Sequence, residues 1–309
     1  MTQFTIDIPN LGEKVLPIFA RHETFHPRFG WIKKGFDKAK EDSDVFLAED
    51  ATVRLGVGKN MVRSIRYWCR AFKVLVDDKP TEFGMKLLDD QGWDPFLEDP
   101  ASLWLLHWNL LKPTCEAAAW YFTFNVFRAV EFSANDLFMA ACNYRETLAT
   151  RGAESSINKD VTCILRMYVE QLVNSGPSED SLDCPFSQLG LIHTAGDAKQ
   201  YTFRIGQKRN LPPEIVVAAC LEYADLVGRK QRTIALSRLL YDMGSPGMVF
   251  KLSESALSEA IEQVARQWDK IAISDSAGLI QFYFTESPRH LADEILEQYY
   301  HSTRRGHKK

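Results

Sequence analysis

The chain has no uninterrupted apolar run of the roughly 18 residues that a membrane span needs. Its start, MTQFTIDIPN, has neither a basic n-region nor an apolar h-region. No membrane is therefore expected as a partner, and the chain reads as cytoplasmic. It has no CxxC pair either: the six cysteines, at 69, 115, 142, 163, 184 and 220, are dispersed in a chain too long to need a disulfide scaffold. They read as buried thiols, and Cys163 with Cys184 lacks evident partners for a metal site. An excess of basic charge is missing too, with 37 Lys and Arg against 41 Asp and Glu, so any basic cluster is a local feature. What is present is core material: 309 residues, 45% hydrophobic and 12% aromatic, enough for two or three packed domains.

The sharpest local feature lies between Gly58 and Lys73. Val62, Ile65, Cys69 and Phe72 repeat at the spacing of a buried helical face. Lys59, Arg63, Arg66, Arg70 and Lys73 repeat at the same spacing on an adjoining face, and no acid falls between Arg54 and Val76. One stripe is expected to seat on a core while the other forms a cationic ridge, the geometry of a helix that meets a polyanion. Arg63 and Arg66 lie off the apolar face, so reversing both charges is expected to leave the fold intact. Before the ridge, residues 46–55 predict a short helix and Gly56-Val57-Gly58 a tight turn. After it, 74–76 and 82–87 flank an Asp-Asp-Lys-Pro turn and predict a hairpin. Helix, turn, helix, hairpin is winged-helix order, with the ridge in the recognition position.

The fold expected is mainly α with small β wings, in three blocks. Residues 1–92 form the winged-helix domain. Residues 93–185 form a helical middle with helices over 101–111, 116–128, 133–150 and 157–173. Its aromatics, Trp104, Trp108, Trp120, Tyr121, Phe122, Phe124 and Phe127, sit in apolar runs with few basic neighbours and read as core. A polar stretch, 174–183, leads to the third block, 186–309. There, helices over 233–241 and 253–268 surround a Gly-Ser-Pro-Gly turn, and strands over 271–274 and 279–284 follow. That is a second winged helix, whose second helix carries Glu254, Glu259 and Glu262 and reads as a packing or docking module. Arg229, Lys230, Arg232, Arg238 and the tail residues Arg304, Arg305, Lys308 and Lys309 are the remaining basic clusters.

Two near-motifs fail on inspection. His22-Glu23-Thr24-Phe25-His26 satisfies H-E-x-x-H, which binds zinc when a helix brings both histidines to one face. Pro27 pushes His26 out of the α region, so zinc is not expected. Gly56-Val57-Gly58-Lys59-Asn60 imitates the end of a phosphate loop, but Val53 and Asn60 stand where Gly and Ser or Thr are required. The stretch from Arg21 to Trp31 still packs two histidines, an acid and two arginines beside aromatics. Either Glu23 pairs with an arginine at a domain edge, or the segment holds phosphate.

The runs HETFHPRFGWIKKGF, LAEDATVRLGVGKNMVRSIRYWC and LDCPFSQLGLI resemble the SspB family of bacterial DNA phosphorothioation systems, long filed as a domain of unknown function. The resemblance spans most of the chain and implies a DNA-nicking endonuclease. It also implies partners: DNA, a cysteine desulfurase, an ATP-pyrophosphatase-like enzyme and an ATPase. His22, Glu23, His26, Arg28, Lys59, Asn60, Arg63 and Arg66 match the family pattern. Scission needs a nucleophile, neutralised phosphate charge and a protonated leaving oxygen. His22 or His26 suits acid–base work, Arg28 a phosphate clamp, and Glu23 the orientation of a histidine or the binding of a divalent ion, Mg²⁺ or Mn²⁺. Lys33, Arg70 and Lys73 join Lys59, Asn60, Arg63 and Arg66 as DNA contacts. The acids for a two-metal site are sparse, with only Glu49 and Asp50 to join Glu23. Two readings follow: a metal-assisted nickase, or a non-catalytic winged-helix DNA-binding module, either a regulator or a platform that recruits the sulfur-transfer proteins.

Overall fold

Helix α1 (Trp31–Glu41) crosses α3 (Lys59–Ala71) so closely that a side-chain carbon on Gly35 would meet Cys69 Sγ at 2.5 Å and Ile65 Cγ2 at 2.7 Å. The computed structural model describes residues 15–148, 152–169, 184–196, 199–228, 231–276 and 278–306. The expected polar stretch 174–183, Arg229, Lys230, Lys308, Lys309 and the side chains of Arg304 and Arg305 lie outside the described residues.

Between α1 and α3 lies α2 (Ala51–Leu55), shorter than expected, because 43–50 is a series of turns. The Gly56–Gly58 turn then feeds α3, whose buried side is Val62, Ser64, Ile65, Tyr67, Trp68, Cys69 and Ala71. The hairpin that follows is minimal: β1 (Leu75–Val76) pairs antiparallel with β2 (Lys79–Pro80) around Asp77 and Asp78, both left-handed. Residues 82–87 are not its second strand, as expected, but part of helix α4 (Glu82–Leu88). Phe83, Met85 and Leu87 alternate as a strand would, yet Gly84, Leu87 and Leu88 make an equally good buried helical face. The Thr81 side chain decides between them by capping the helix, accepting the Gly84 N–H at 2.9 Å.

Helix α5 (Pro100–Leu111) starts with Asp99 accepting the Ala101 N–H, and every residue from Ala101 to Leu111 is buried. A helix buried on all sides, polar only at Ser102, His107 and Asn109, belongs in the middle of a protein. After it come α6 (Ala118–Tyr121) with a wider π turn at Phe122–Val126, β3 (Glu131–Ser133), α7 (Ala134–Thr147) with a Ser133–Asp136 capping box, and α8 (Glu154–Tyr168). The seven aromatics of this block are all buried, as the core reading requires. A 3₁₀ turn (Pro185–Leu189) precedes β4 (Ile192–Thr194) and β5 (Gln200–Phe203). The sheet order β3-β5-β4 joins strands from either side of residue 185.

The last part runs α9 (Pro213–Gly228), β6 (Thr233–Ala235), α10 (Leu236–Tyr241), α11 (Pro246–Val249), α12 (Glu254–Ala265), β7 (Ile271–Ser276), β8 (Leu279–Phe284) and α13 (Pro288–Gly306). Its sheet has the antiparallel order β6-β8-β7. Buried side chains from Val15 to Tyr300 form one continuous cluster. The fold is thus mainly helical with small antiparallel sheets. All six cysteines are free and buried, and among the described residues no helix is long and apolar enough to cross a membrane.

Candidate nucleic-acid interface

The His22 motif is a turn, not a helix, with Ala20, Glu23 and Thr24 at positive φ. It is fastened from α8. There Asp160 lies on the buried stripe of Ile157, Val161 and Ile164. Asp160 Oδ1 meets the Ala20 N–H at 2.8 Å and His22 Nε2 at 2.7 Å. His22 is fully buried among the rings of Tyr67, Trp68 and Trp120. Burial pushes the Asp160 carboxyl above its ordinary value, and the His22 and Ala20 bonds pull against that shift. Trp68 Nε1 donates to Phe25 O at 3.0 Å and ties the next part of the segment to α3.

This burial corrects the acid–base assignment. A fully enclosed His22 cannot touch a scissile phosphate, and His26 is also buried, at 6% exposure. His22 and Asp160 form a lock that docks the segment. Arg28 packs its guanidinium over the Trp31 ring, 5.4 Å from the centroid. Of the proposed catalytic set, Glu23 reaches the ridge: its carboxylate lies 3.6 Å from Arg63.

The ridge itself is largely neutralised. Lys59 and Asn60 are exposed, and Lys59 has no acid partner among the described residues. Arg63 is 55% exposed despite Glu23. Arg66 donates through Nε and Nη2 to both oxygens of buried Asp78, at 2.9 and 2.6 Å. Reversing Arg66 would therefore strand Asp78, which corrects the expectation that the fold is indifferent to it. Arg70 faces Glu116 at 3.4 Å. Lys73 curls inward at φ 58, donates to the carbonyls of Asn109 and Lys112, and is lowered to about 8 by burial. Lys33 is buried and bonded to Asp37 at 2.6 Å and Asp90 at 2.9 Å. Burial lowers its pKa, but those two bonds outweigh that and leave it raised. Lys33 and Lys73 are thus structural, not surface contacts. The outward ridge shortens to Lys59, Asn60 and Arg63, with Arg70 beyond.

Among the described residues, one group of three donors stands close enough for an ion, Glu286, His290 and Glu294. The Lys270 ammonium already occupies it, at 3.2 Å from Glu286 and 3.1 Å from Glu294. Glu23, Glu49 and Asp50 do not converge into such a group. The described side chains therefore do not fit a ready-made carboxylate cluster for a divalent ion.

Asp160 carries one signal in the sequence, an acid within an apolar helical stripe, which calls for a buried partner. Glu116 and Asp78 carry none that marks them as counter-ions of the ridge. No local pattern marked Lys208 and Lys251, both buried.

A helical body on one continuous core, small antiparallel sheets and a short outward cationic face define this as a mainly helical protein with a candidate interface on α3. A model of the family described as "Protein of unknown function (DUF4007)" matches residues 19–300, and the chain belongs to that family. It is SspB-like as well. A solved structure described as "SspB crystal structure" is 38% identical, with a TM-score of 0.87 over 95% of this chain and 91% of that one. Another, "Magnesium ion-bound SspB crystal structure", is 37% identical, with a TM-score of 0.86 over 96% of this chain and 91% of that one. Comparison with curated proteins finds no match.

Proposed function

We propose that this protein is the DNA-engaging member of a phosphorothioation system, which grips the phosphate backbone with the first half of α3 and nicks one strand. The observation that carries the reading is the exposure of Lys59, Asn60 and Arg63 on a helix whose other face is sealed in the core. Gly58 caps that helix without a side-chain bond, so the N–H groups of the first turn face outward with the positive end of the helix dipole. The resemblance to the SspB family supplies the reaction. Glu23, beside Arg63, is the acid of the family motif that borders this face.

The winged-helix reading belongs to the same proposal. Helix α2, the glycine turn, α3 and the β1–β2 hairpin support it at the N-terminal end. The order α9, β6, α10, α12, β7, β8 with sheet order β6-β8-β7 supports it at the other. The desulfurase, the ATP-pyrophosphatase-like enzyme and the ATPase are the proposed partners. A magnesium-bound relative supports dependence on Mg²⁺ or Mn²⁺, but no residue here is assigned as its ligand.

The test pairs plasmid nicking with duplex binding, each with Mg²⁺, Mn²⁺ or chelator, for wild type and for Lys59→Glu/Arg63→Glu purified identically. The variant should lose both binding and nicking while keeping its circular dichroism. Equal binding by the variant removes α3 from the interface. Binding without any nicking favours the platform reading, which the burial of His22 and His26 supports.

A further inference from the structure

Away from α3, a second set of cations converges from three distant parts of the chain. Lys251 follows α11, at φ 54, and is 7% exposed. Its Nζ donates to Phe124 O at 2.7 Å and stands 4.4 Å from the centroid of the Phe203 ring. Lys208, 4% exposed, lies in the loop between β5 and α9 and donates to Gly206 O at 2.7 Å and Lys251 O at 2.5 Å. Gly206, at φ 103, lets the loop turn back so that its own N–H also reaches Lys251 O, at 2.8 Å. Arg128, at the exposed rim, directs Nη1 at the Met248 thioether, 2.9 Å away, a weak acceptor.

No carboxylate pairs with Arg128, Lys208 or Lys251 among the described residues. The Arg204 guanidinium lies close enough to Lys208 to push its pKa down. An ammonium has three donors; Lys208 uses two on carbonyls and Lys251 uses one. Burial lowers both lysines to about 7, and their cationic neighbours push the same way. Desolvating like charges together is unfavourable unless an anion joins them. Lys208 also lines a recess of about 700 Å³ with Gln207, Arg209 and Asn210. Asp99 lies on that recess, but its oxygens are taken by the Ala101 N–H and the Tyr299 hydroxyl.

We propose that Arg128, Lys208 and Lys251 form a binding site for a phosphate-class anion, reached past Arg128. Three clustered cations without an acid suit a dianionic, multi-acceptor phosphoryl group better than a single carboxylate, and a guanidinium at the entrance suits its geometry. The source is either a DNA backbone phosphate or a free phosphate or phosphorylated small molecule. The site goes beyond the α3 reading and does not depend on it.

Thermal unfolding of the full chain in inorganic phosphate, against chloride of equal ionic strength, reads the site without DNA. Phosphate should raise Tm in a saturating manner, since a ligand held only by the native state stabilises it by mass action. Lys59→Glu/Arg63→Glu should keep that increment. Arg128→Gln should lose it while its Tm in chloride stays near wild type, and Arg128→Lys should recover part of it. A second arm measures duplex affinity in chloride. If Arg128→Gln weakens the duplex and free phosphate competes with it, the source is DNA. If the duplex binds Arg128→Gln as it binds wild type, the source is a small phosphate. The absence of a phosphate-specific rise in wild type, or an equal rise in Arg128→Gln, overturns the proposal whatever happens to the duplex.

Discussion

The cations of α3 and those around Lys251 differ in what surrounds them. Along α3, acids from elsewhere in the chain reach one arginine after another: Glu23 at Arg63, Asp78 at Arg66, Glu116 at Arg70. Around Lys208 and Lys251 stand carbonyls, aromatic faces and other cations. The group that is continuous in sequence is mostly neutralised, whereas among the described residues no acid pairs with Arg128, Lys208 or Lys251. The field that a ligand feels depends on counter-ions, which tertiary structure delivers. An exposed ion pair leaves little net attraction for a third charge.

The comparison breaks hardest where pairing is most buried, at His22 and Asp160. His22→Ala should destabilise the protein by about 3–5 kcal/mol, the usual effect of removing one partner of a buried pair. Urea unfolding measures it. A loss under about 1 kcal/mol would mean that the pair does not lock the segment, and would reopen a chemical role for His22.

Asp78→Ala is the next largest change, at about 1.5–3 kcal/mol for lost charge-assisted hydrogen bonds. It should also release Arg66 towards ligand, so duplex affinity should rise and the salt slope steepen by about 0.9. Unchanged affinity with lowered stability would show that Arg66 does not point at DNA once freed.

The salt dependence of wild type is a finer test. Four ridge cations on phosphates would give a slope of log affinity against log salt near ~−3.6, whereas Lys59 and Arg63 alone would give ~−1.8. The shallower value is expected for the ridge. A markedly steeper slope that flattens in Arg128→Gln would transfer contacts to the second cluster.

The smallest effect is on pH dependence. Lys208 and Lys251 titrate near 7 and Lys73 near 8 in the folded chain, below the ordinary lysine value that they regain on unfolding. The unfolded state therefore holds more protons, and stability should rise with pH above about 7. Below that, the cost of burying charged lysines is fully present. From about 8.5 the buried thiols, pushed up by burial as at Cys115 to about 11, oppose the trend. Tm should thus climb from about pH 6.5 to 8, and Lys208→Met/Lys251→Met should flatten the climb. A wild-type Tm that falls across this window would contradict the burial of these ammoniums.

Much of the helical scaffold was legible because it rests on local rules. The stripe Val62, Ile65, Cys69, the largely apolar run from Ala101 to Leu111, and the side-chain caps at Ser133 and Ser253 each specify a helix within a few residues. The expected strand over 82–87 gives way to a helix because Phe83, Met85 and Leu87 satisfy a period of two as well as their neighbours satisfy 3.6, and the cap at Thr81 breaks the tie. The site was legible only in its nearest part. Lys59 and Arg63 are outward as the stripe predicts, whereas Lys73, at the end of the same stripe, leaves it as the backbone turns to φ 58.

By itself the sequence determined the residue types and the local periods: which faces are apolar, where helices begin, and that cations run unbroken from Lys59 to Lys73. Those follow from a repeat of 3.6 and from caps within one turn. Only the tertiary structure decided which charges survive. Asp160 meets His22 across 138 positions, Glu116 meets Arg70 across 46, and Lys251 reaches Phe124 across 127. The reason is that ionic and desolvation energies depend on distance and burial in space, and neither follows from separation along the chain.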